Sequence, residues 1–283
     1  MIPNGLIGRA VGIYRREGAL ALGAAACRSV YARSGLRDTV LELLYRRSGP
    51  STVVRADGVG VTFRTVTASE FRRVRNLMDE RGTIGDLLSE LRTDDVFYDI
   101  GANVGMYSCF VAKVLSEGTV VAFEPHPANT EALTENLDLN GLGAVVRRIA
   151  LSDRRGDTVL TETSPEAGAG GHSLSPEGSG QGLHVETDTL DRTVDAADLP
   201  PPTVAKIDVE GAEGRVLEGG AEVLAADSCR LLYCEVHPQR LGEFGDSYRT
   251  VVRTIEELGF TTDVIDGEPG RYAMIKGRKR PAR

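Results

Sequence analysis

The stretch YDIGANVGMYS, Tyr98 to Ser108, constrains this chain more than any other: an apolar run stops at Gly101 and Gly105 and restarts as the helical pattern CFVAKVL. A strand that breaks at glycines and resumes as a helix is how α/β proteins build sites for nucleotide-like ligands, outside the carboxyl ends of parallel strands. The neighbouring segments keep the same rhythm. DVFYDIG reads as a first strand, TVVAFEP as a second, ANTEALTENLDLN as the helix after it, and AVVRRIALSD as a third strand. After a hairpin-like insert come TVAKIDVEG, the helix AEGRVLEGGAEVLAA and the strand CRLLYCEVHP. DSYRTVVRTIEELG is a further helix, and FTTDVID with GRYAMIKG closes the sheet as an antiparallel edge pair. These strands lack clean polar alternation because helices cover both faces of such a sheet.

The first ninety or so residues do not share that rhythm. Residues 5–47 read as one or two arginine-studded helices ended by SGP. TVVRADGVGVTFRT alternates around a glycine-bearing turn, as a hairpin does. SEFRRVRNLMDERGTIGDLLSEL is a helix with Ser69 as N-cap and Phe71, Val74, Leu77 and Met78 at helical spacing. The expected division is an N-terminal accessory region over 1–92, an α/β domain over 93–277 and a basic tail over 278–283. Residues 163–183, rich in Gly, Ser and Pro, are expected to be a mobile loop, and their place between strand-like segments makes them a lid.

Charge narrows the partners. Across 283 residues the net charge is -8, which excludes nucleic acid as the main partner because phosphate binding needs a basic face. Residues 1–50 differ, with eight arginines against Glu17, Asp38 and Glu42. Such a leader suits a helical cap on the core or a peripheral contact of residues 1–47 with an anionic membrane. ALALGAAAC is too short to span a bilayer, and the start lacks the early basic residue of a signal peptide, so a cytoplasmic location is expected. Cys27, Cys109, Cys229 and Cys234 form no CxxC pair and indicate neither a disulfide framework nor a zinc site; Cys109 and Cys234 read as buried small hydrophobes. No pattern fixes an oligomeric state.

The ligand is read from the turn. Gly101, Ala102, Asn103 and Gly105 fall beneath it, the glycines permitting positive φ and close backbone approach. The order D-x-G-x-N-x-G departs from the dinucleotide fingerprint, which disfavours a nicotinamide oxidoreductase. Asp99 repels a phosphate and attracts a cation. Glu124 ends the second strand 25 residues later, where a carboxylate accepts hydrogen bonds from both ribose hydroxyls. A ribose, an adenine and a positive centre without phosphates describe S-adenosylmethionine. Asp99 is then expected to face its amino-acid end through backbone or water, Glu124 to clamp the ribose, and the turn ALSD, with Ser152 and Asp153, to border the adenine.

At this point the chain resembles the FkbM family of methyltransferases. DIGANVGMYS, FEPHPANTEALTENLDLNGL, ALSD, TLD near Asp191, KIDVEGAE and YCEVHP stand in that family's order, over residues 95 to about 262. The resemblance implies a class I Rossmann-like methyltransferase, α/β with a mostly parallel seven-stranded sheet and helices on both faces. It also implies a hydroxyl acceptor on a sugar, glycan or small metabolite.

Methyl transfer from a sulfonium is an in-line displacement, so the protein must align an oxygen and remove its proton. Alignment supplies ~7–11 kcal/mol and a positioned base roughly 10²–10⁴-fold in rate. Strand alternation puts Lys206, Asp208 and Glu210 on one side of KIDVEG, and CEVHP adds Glu235 and His237. Asp208 or Glu210 is assigned beside the methyl and His237 as general base, since an ordinary imidazole titrates near neutrality. Two other readings stay open. Lys206 can pair with Asp208 or Glu235, because a charge in an apolar strand is costly alone. The carboxylates and histidine can instead hold a divalent metal, but no tight ligand spacing is visible and no metal ligand is assigned. His172, in GGHSL, is a candidate to close over the acceptor. The alternative to an enzyme is a non-catalytic cofactor-binding scaffold that docks a membrane or a biosynthetic partner.

Overall fold

Asp57 and Gly58 adopt φ of 46° and 78°, the left-handed pair that a two-residue hairpin turn requires, and join β1 (Ser51–Ala56) to β2 (Val59–Arg64). This computed structural model describes residues 44–46, 49–178, 180–268 and 272–279, without the side chains of 76–79. Helix α1 (Ala68–Glu90) follows the hairpin, and its N-cap is Thr67 rather than the expected Ser69. The Thr67 hydroxyl accepts from Glu70 N while the Glu70 carboxylate accepts from Thr67 N, a reciprocal capping box. Val54, Val61 and Phe63 of the hairpin and Val74, Ile84 and Leu87 of α1 pack in one core with Phe97, Phe110 and Tyr233. Each such burial contributes roughly 1.5–3 kcal/mol. Gly49–Arg283 therefore forms one compact unit, with hairpin and α1 inside it; Met1–Ser48 is a second unit. The helices expected over 5–47 and the membrane contact assigned to 1–47 lie outside the described residues, save 44–46.

The sheet is built from β3 (Val96–Ile100), α2 (Met106–Val114), β4 (Thr119–Phe123), α3 (Pro127–Leu139) and β5 (Val145–Arg147). The chain then leaves it for β6 (Ala150–Leu151), β7 (Gly156–Thr161), β8 (Ser173–Leu174), β9 (Leu183–Asp188) and α4 (Leu190–Ala196). It returns through β10 (Val204–Ile207), α5 (Glu213–Gly219), α6 (Ala221–Ala225), β11 (Leu231–Val236), α7 (Pro238–Leu241), α8 (Tyr248–Glu257), β12 (Thr261–Glu268) and β13 (Tyr272–Arg278). Seven strands lie in the order β12-β13-β11-β10-β3-β4-β5, with β13 antiparallel to both its neighbours and the remaining pairs parallel. The expected architecture holds. The order turns back between β3 and β10, and that reversal opens a crevice at their carboxyl ends.

Three local expectations change. The third strand is split: β5 stays in the central sheet, while β6 pairs with β9 in a four-stranded sheet of order β6-β9-β7-β8. The helix expected over AEGRVLEGGAEVLAA breaks at Gly220, where an added Cβ would lie 2.8 Å from Leu190 Cδ2. The segment expected to be a mobile lid does lie over the crevice, but its residues 168–171 are tied there by hydrogen bonds. Gly168 N donates to Asn129 Oδ1 at 2.9 Å, Asn103 Nδ2 to the Ala169 carbonyl at 3.0 Å and an Arg240 guanidinium nitrogen to the Gly171 carbonyl at 3.0 Å. The tail is also part of the fold as far as it is described: β13 runs to Arg278, and Lys279 Nζ donates to the carbonyls of Leu224 and Ala226. No described helix is long and apolar enough to cross a membrane.

Candidate active site

A cleft with both polar and apolar lining lies at the switch point, where small-ligand sites of such sheets are found. Its floor comes from the β3 turn at Gly101 and Asn103, its walls from Glu124 after β4 and Asp208–Glu210 after β10, and its cover from Gly170–His172. Gly101 is needed because of the neighbouring strand: with φ at 79°, its Cβ would stand 1.8 Å from the Asp208 carbonyl oxygen. Gly105, also at φ 79°, is needed by packing, since a Cβ there would meet Leu133 Cγ at 2.8 Å. Ala102 is buried, and its N–H donates to the Phe123 carbonyl behind the cleft rather than into it.

Asp99 does not face the cleft. Gly105, the N-cap of α2, has no side chain to satisfy the first free N–H groups, and Asp99 does so from β3. Its Oδ2 accepts from Ser108 N at 3.0 Å and Ser108 Oγ at 2.6 Å, and Oδ1 lies 3.8 Å from Lys206 Nζ. Burial pushes its carboxyl up, against the pull of Lys206. The expected contact with a ligand's amino-acid end is thus replaced by a structural bond.

Glu124 does line the cleft, but its carboxylate is already well engaged. Oε2 accepts from Asn103 N at 2.8 Å; Oε1 accepts from His126 N at 2.9 Å and Asn129 Nδ2 at 3.3 Å. With two acceptor positions per oxygen, Oε2 keeps one open and Oε1 is filled, which leaves one position where the expected clamp on both ribose hydroxyls needs two. Burial raises the Glu124 pKa, while these donors oppose the rise by stabilising the ionised form.

The apolar wall comes from Phe123, Ile149, Leu151, Leu160 and Leu174, a surface suited to a flat heterocycle. From the turn ALSD it is Ala150 and Leu151 that contribute. Ser152 and Asp153 lie outside the cleft: Ser152 Oγ donates to Asp153 Oδ1 at 2.9 Å, and Ser152 lines a separate surface pocket. The fact that β6 pairs with β9 sends those two side chains away. His172 covers the cleft and stacks on His126, with ring centroids 4.8 Å apart. Its Nδ1 accepts from Thr163 N, which leaves Nε2–H as a buried donor with no partner among the described residues. Burial, then His126, lowers its pKa and keeps it neutral.

The far end of the cleft is charged. Lys206, 1% exposed, places Nζ 3.1 Å from Asp208 Oδ2 and 4.6 Å above the Tyr107 ring. Burial works against its charge, but Asp208, Asp99 and Glu235 together raise its pKa; burial also opposes the Asp208 charge, yet Lys206 and His237 lower that carboxyl. The expected ion pair of Lys206 with Asp208 is present. Glu235, which is not among the residues lining the cleft, has its pKa raised by burial and by Asp208. His237 Nδ1 bonds Glu213 Oε1 at 2.8 Å, and Nε2 faces Glu235, Glu210 and Asp208 at 3.6, 3.7 and 4.0 Å. Burial resists its charge, but those carboxylates push its pKa up to about 11. These carboxylates favour the protonated ring, unlike the titration near neutrality expected of an ordinary imidazole. Donor atoms of Asp208, after β10, and of Glu235 and His237, two residues apart at the end of β11, all lie within 4.8 Å of one another.

Sequence reasoning missed two residues here. Arg73 of α1 lines the cleft from the region treated as accessory, paired with Glu80 at 3.1 Å. Asn129 links Glu124 to the cover at Gly168, and its place at the start of the helix after the Glu124 strand was the available signal.

Residues 99–262 match the methyltransferase FkbM domain family. The chain is 32% identical to the hexuronic acid methyltransferase AglP of Haloferax volcanii, over 75% of this chain and 82% of that protein. It is 29% identical to the 31-O-demethyl-FK506 methyltransferase FkbM of Streptomyces tacrolimicus, over 64% of this chain and 77% of that one. Among solved structures, methyltransferase FkbM from Methylobacillus flagellatus aligns with a TM-score of 0.47 at 13% identity, over 88% of this chain and 60% of that one.

Proposed function

The chain belongs to the FkbM methyltransferase family, and from that premise we propose that it transfers a methyl group from S-adenosylmethionine to a hydroxyl of a sugar or glycan. The observation that carries this reading is one cleft with an open acceptor position on Glu124 at one end, which suits a ribose, and a carboxylate-rich end at Asp208 and Glu210. The residues present suit the cofactor: an apolar wall for adenine, one free acceptor position on Glu124, the unpartnered Nε2–H of His172, and anionic Asp208 opposite. When bound, the cofactor supplies a methyl group already activated on a positively charged sulfur. Asp208 and Glu210 attract that charge and orient the acceptor, and the covering segment 167–171 excludes water. The relatives' names support a hydroxyl-bearing acceptor, a hexuronic acid in one case and an O-demethyl metabolite in the other. A small secondary metabolite is therefore the second acceptor class.

Radiolabelled S-adenosylmethionine, offered with uronic-acid oligosaccharides, neutral oligosaccharides and amines, tests the assignment. Label is expected in an alkali-stable methyl ether on a sugar; label only in amines overturns it. The basic residues 1–47 are the proposed place of membrane contact. Co-sedimentation with anionic but not neutral vesicles is expected, and equal recovery with both removes that part.

A further inference from the structure

His237 Nε2 stands 3.6–4.0 Å from three carboxylate oxygens and within hydrogen-bond distance of none. A charged N–H left to its own attraction closes on one carboxylate to about 2.7–2.9 Å. Here the nitrogen and the oxygens surround a gap instead. The ring is not free to choose this pose, because Glu213, 0% exposed, holds Nδ1 and is itself fixed by Gly211 N. A buried carboxylate on one imidazole nitrogen, with the other nitrogen turned towards carboxylates, is the arrangement that orients metal-binding histidines. Charge points the same way. Asp99, Asp208, Glu210, Glu213 and Glu235 gather around Lys206, Arg240 and, from α1, Arg73, so the carboxylates outnumber the fixed cations.

We propose that Asp208, Glu235 and His237 bind a divalent transition-metal ion that holds the acceptor hydroxyl at the charged end of the cleft. The proposal rests on the methyltransferase reading and deepens it. An ion about 2.0–2.2 Å from each donor needs donors about 3–4.4 Å apart, and the three here, within 4.8 Å, need only a small closure. One imidazole with two carboxylates favours Mn²⁺ or Zn²⁺ over Mg²⁺ and Ca²⁺, which prefer oxygen alone. Three protein ligands leave positions for two adjacent oxygens, so the acceptor class is a vicinal diol or a hydroxy acid. Glu210 lines the cleft outside the ligand set and takes the hydroxyl proton. The oxygen then forms its bond to the methyl carbon as the carbon–sulfur bond breaks, its electron pair returning to sulfur.

The full chain, stripped with EDTA, is titrated with MnCl₂ and followed by electron paramagnetic resonance of free Mn²⁺, with neither cofactor nor acceptor present. One Mn²⁺ per chain is expected. His237→Gln and Glu235→Gln should weaken binding at least tenfold, and Glu213→Gln ~10–100-fold through ring orientation. Sub-stoichiometric binding, or binding unchanged in His237→Gln, overturns the site. Should a variant not fold, the wild-type protein decides alone: its melting temperature rises with Mn²⁺ if the site exists, and a flat response overturns it. Calorimetry with S-adenosylmethionine on the same stripped protein separates the two readings. Cofactor binding without a Mn²⁺ site removes the metal and leaves the methyltransferase; Mn²⁺ binding without cofactor binding supports the metal site and removes the cofactor assignment.

Discussion

The two ends of the cleft stand in contrast. At Glu124 three donors converge on one carboxylate, and each is held by its own backbone or helix start: the Asn103 turn, His126 at the N-cap of α3, and Asn129 in its first turn. At Asp208 and His237 the carboxylates converge on a nitrogen they do not touch. The first end is complete apart from one acceptor position, and the second is a concentration of like charge kept apart by the fold. A protein that binds one molecule of fixed shape and a second that must react has reason to differ in this way. Preorganised hydrogen bonds select the first, and unbalanced charge is available for the second.

Three changes test that contrast. Asp208→Asn should have the largest effect, lowering turnover by roughly 10²–10⁴, well beyond its loss of S-adenosylmethionine affinity by calorimetry. Equal losses in both would mean that the ends do not act separately. Gly101→Ala comes next, because Gly101 separates the two ends: a methyl group 1.8 Å from the Asp208 carbonyl oxygen must displace the end of β10. Left-handed strain and overpacking together predict a loss of roughly 2–6 kcal/mol, read as a lowered denaturation midpoint. A midpoint within error of wild type contradicts the close approach. Glu124→Ala should weaken cofactor binding tenfold or more, about 1.4 kcal/mol, with turnover at saturating cofactor nearly retained. Unchanged affinity removes the ribose contact.

The smallest effect lies outside both ends. Hydrogen bonds from Lys276 and Arg278 hold the Glu90 carboxyl below its ordinary range. A lowered folded-state pKa gives stability that is present above the unfolded-state value and is lost as pH falls through the folded one. Glu90→Gln should therefore lower the melting temperature slightly at neutral pH and flatten its fall in acid. Identical acid melting profiles for wild type and variant would argue against this ion pair.

Much of the fold was legible along the chain, for reasons that differ by element. Strands β3, β4, β10 and β11 are short apolar runs that stop at glycines or charged residues, a local signal that survives burial on both faces. The α1 cap was legible as well, since Thr67-Ala68-Ser69-Glu70 spells a capping box, and choosing Ser69 overlooked the partner that Glu70 provides. The split of AVVRRIALSD was not legible. Its second half leaves the central sheet because β9, more than thirty residues later, offers it a parallel partner. That same departure turned Ser152 and Asp153 out of the cleft while leaving Ala150 and Leu151 in its wall.

By itself the sequence determined the chemical inventory and the order of the elements: a glycine turn after β3, a carboxylate closing β4, and charged groups at the ends of β10 and β11. These follow from residue type and period, which are local. Only the tertiary structure decided what each group is free to do. Asp99 caps a helix because Gly105 cannot, Glu124 keeps one acceptor position because three donors reach it, and the pKa of His237 rises because carboxylates from three segments surround it. Hydrogen-bond capacity and proton affinity depend on distances through space, and those are set when the strands align.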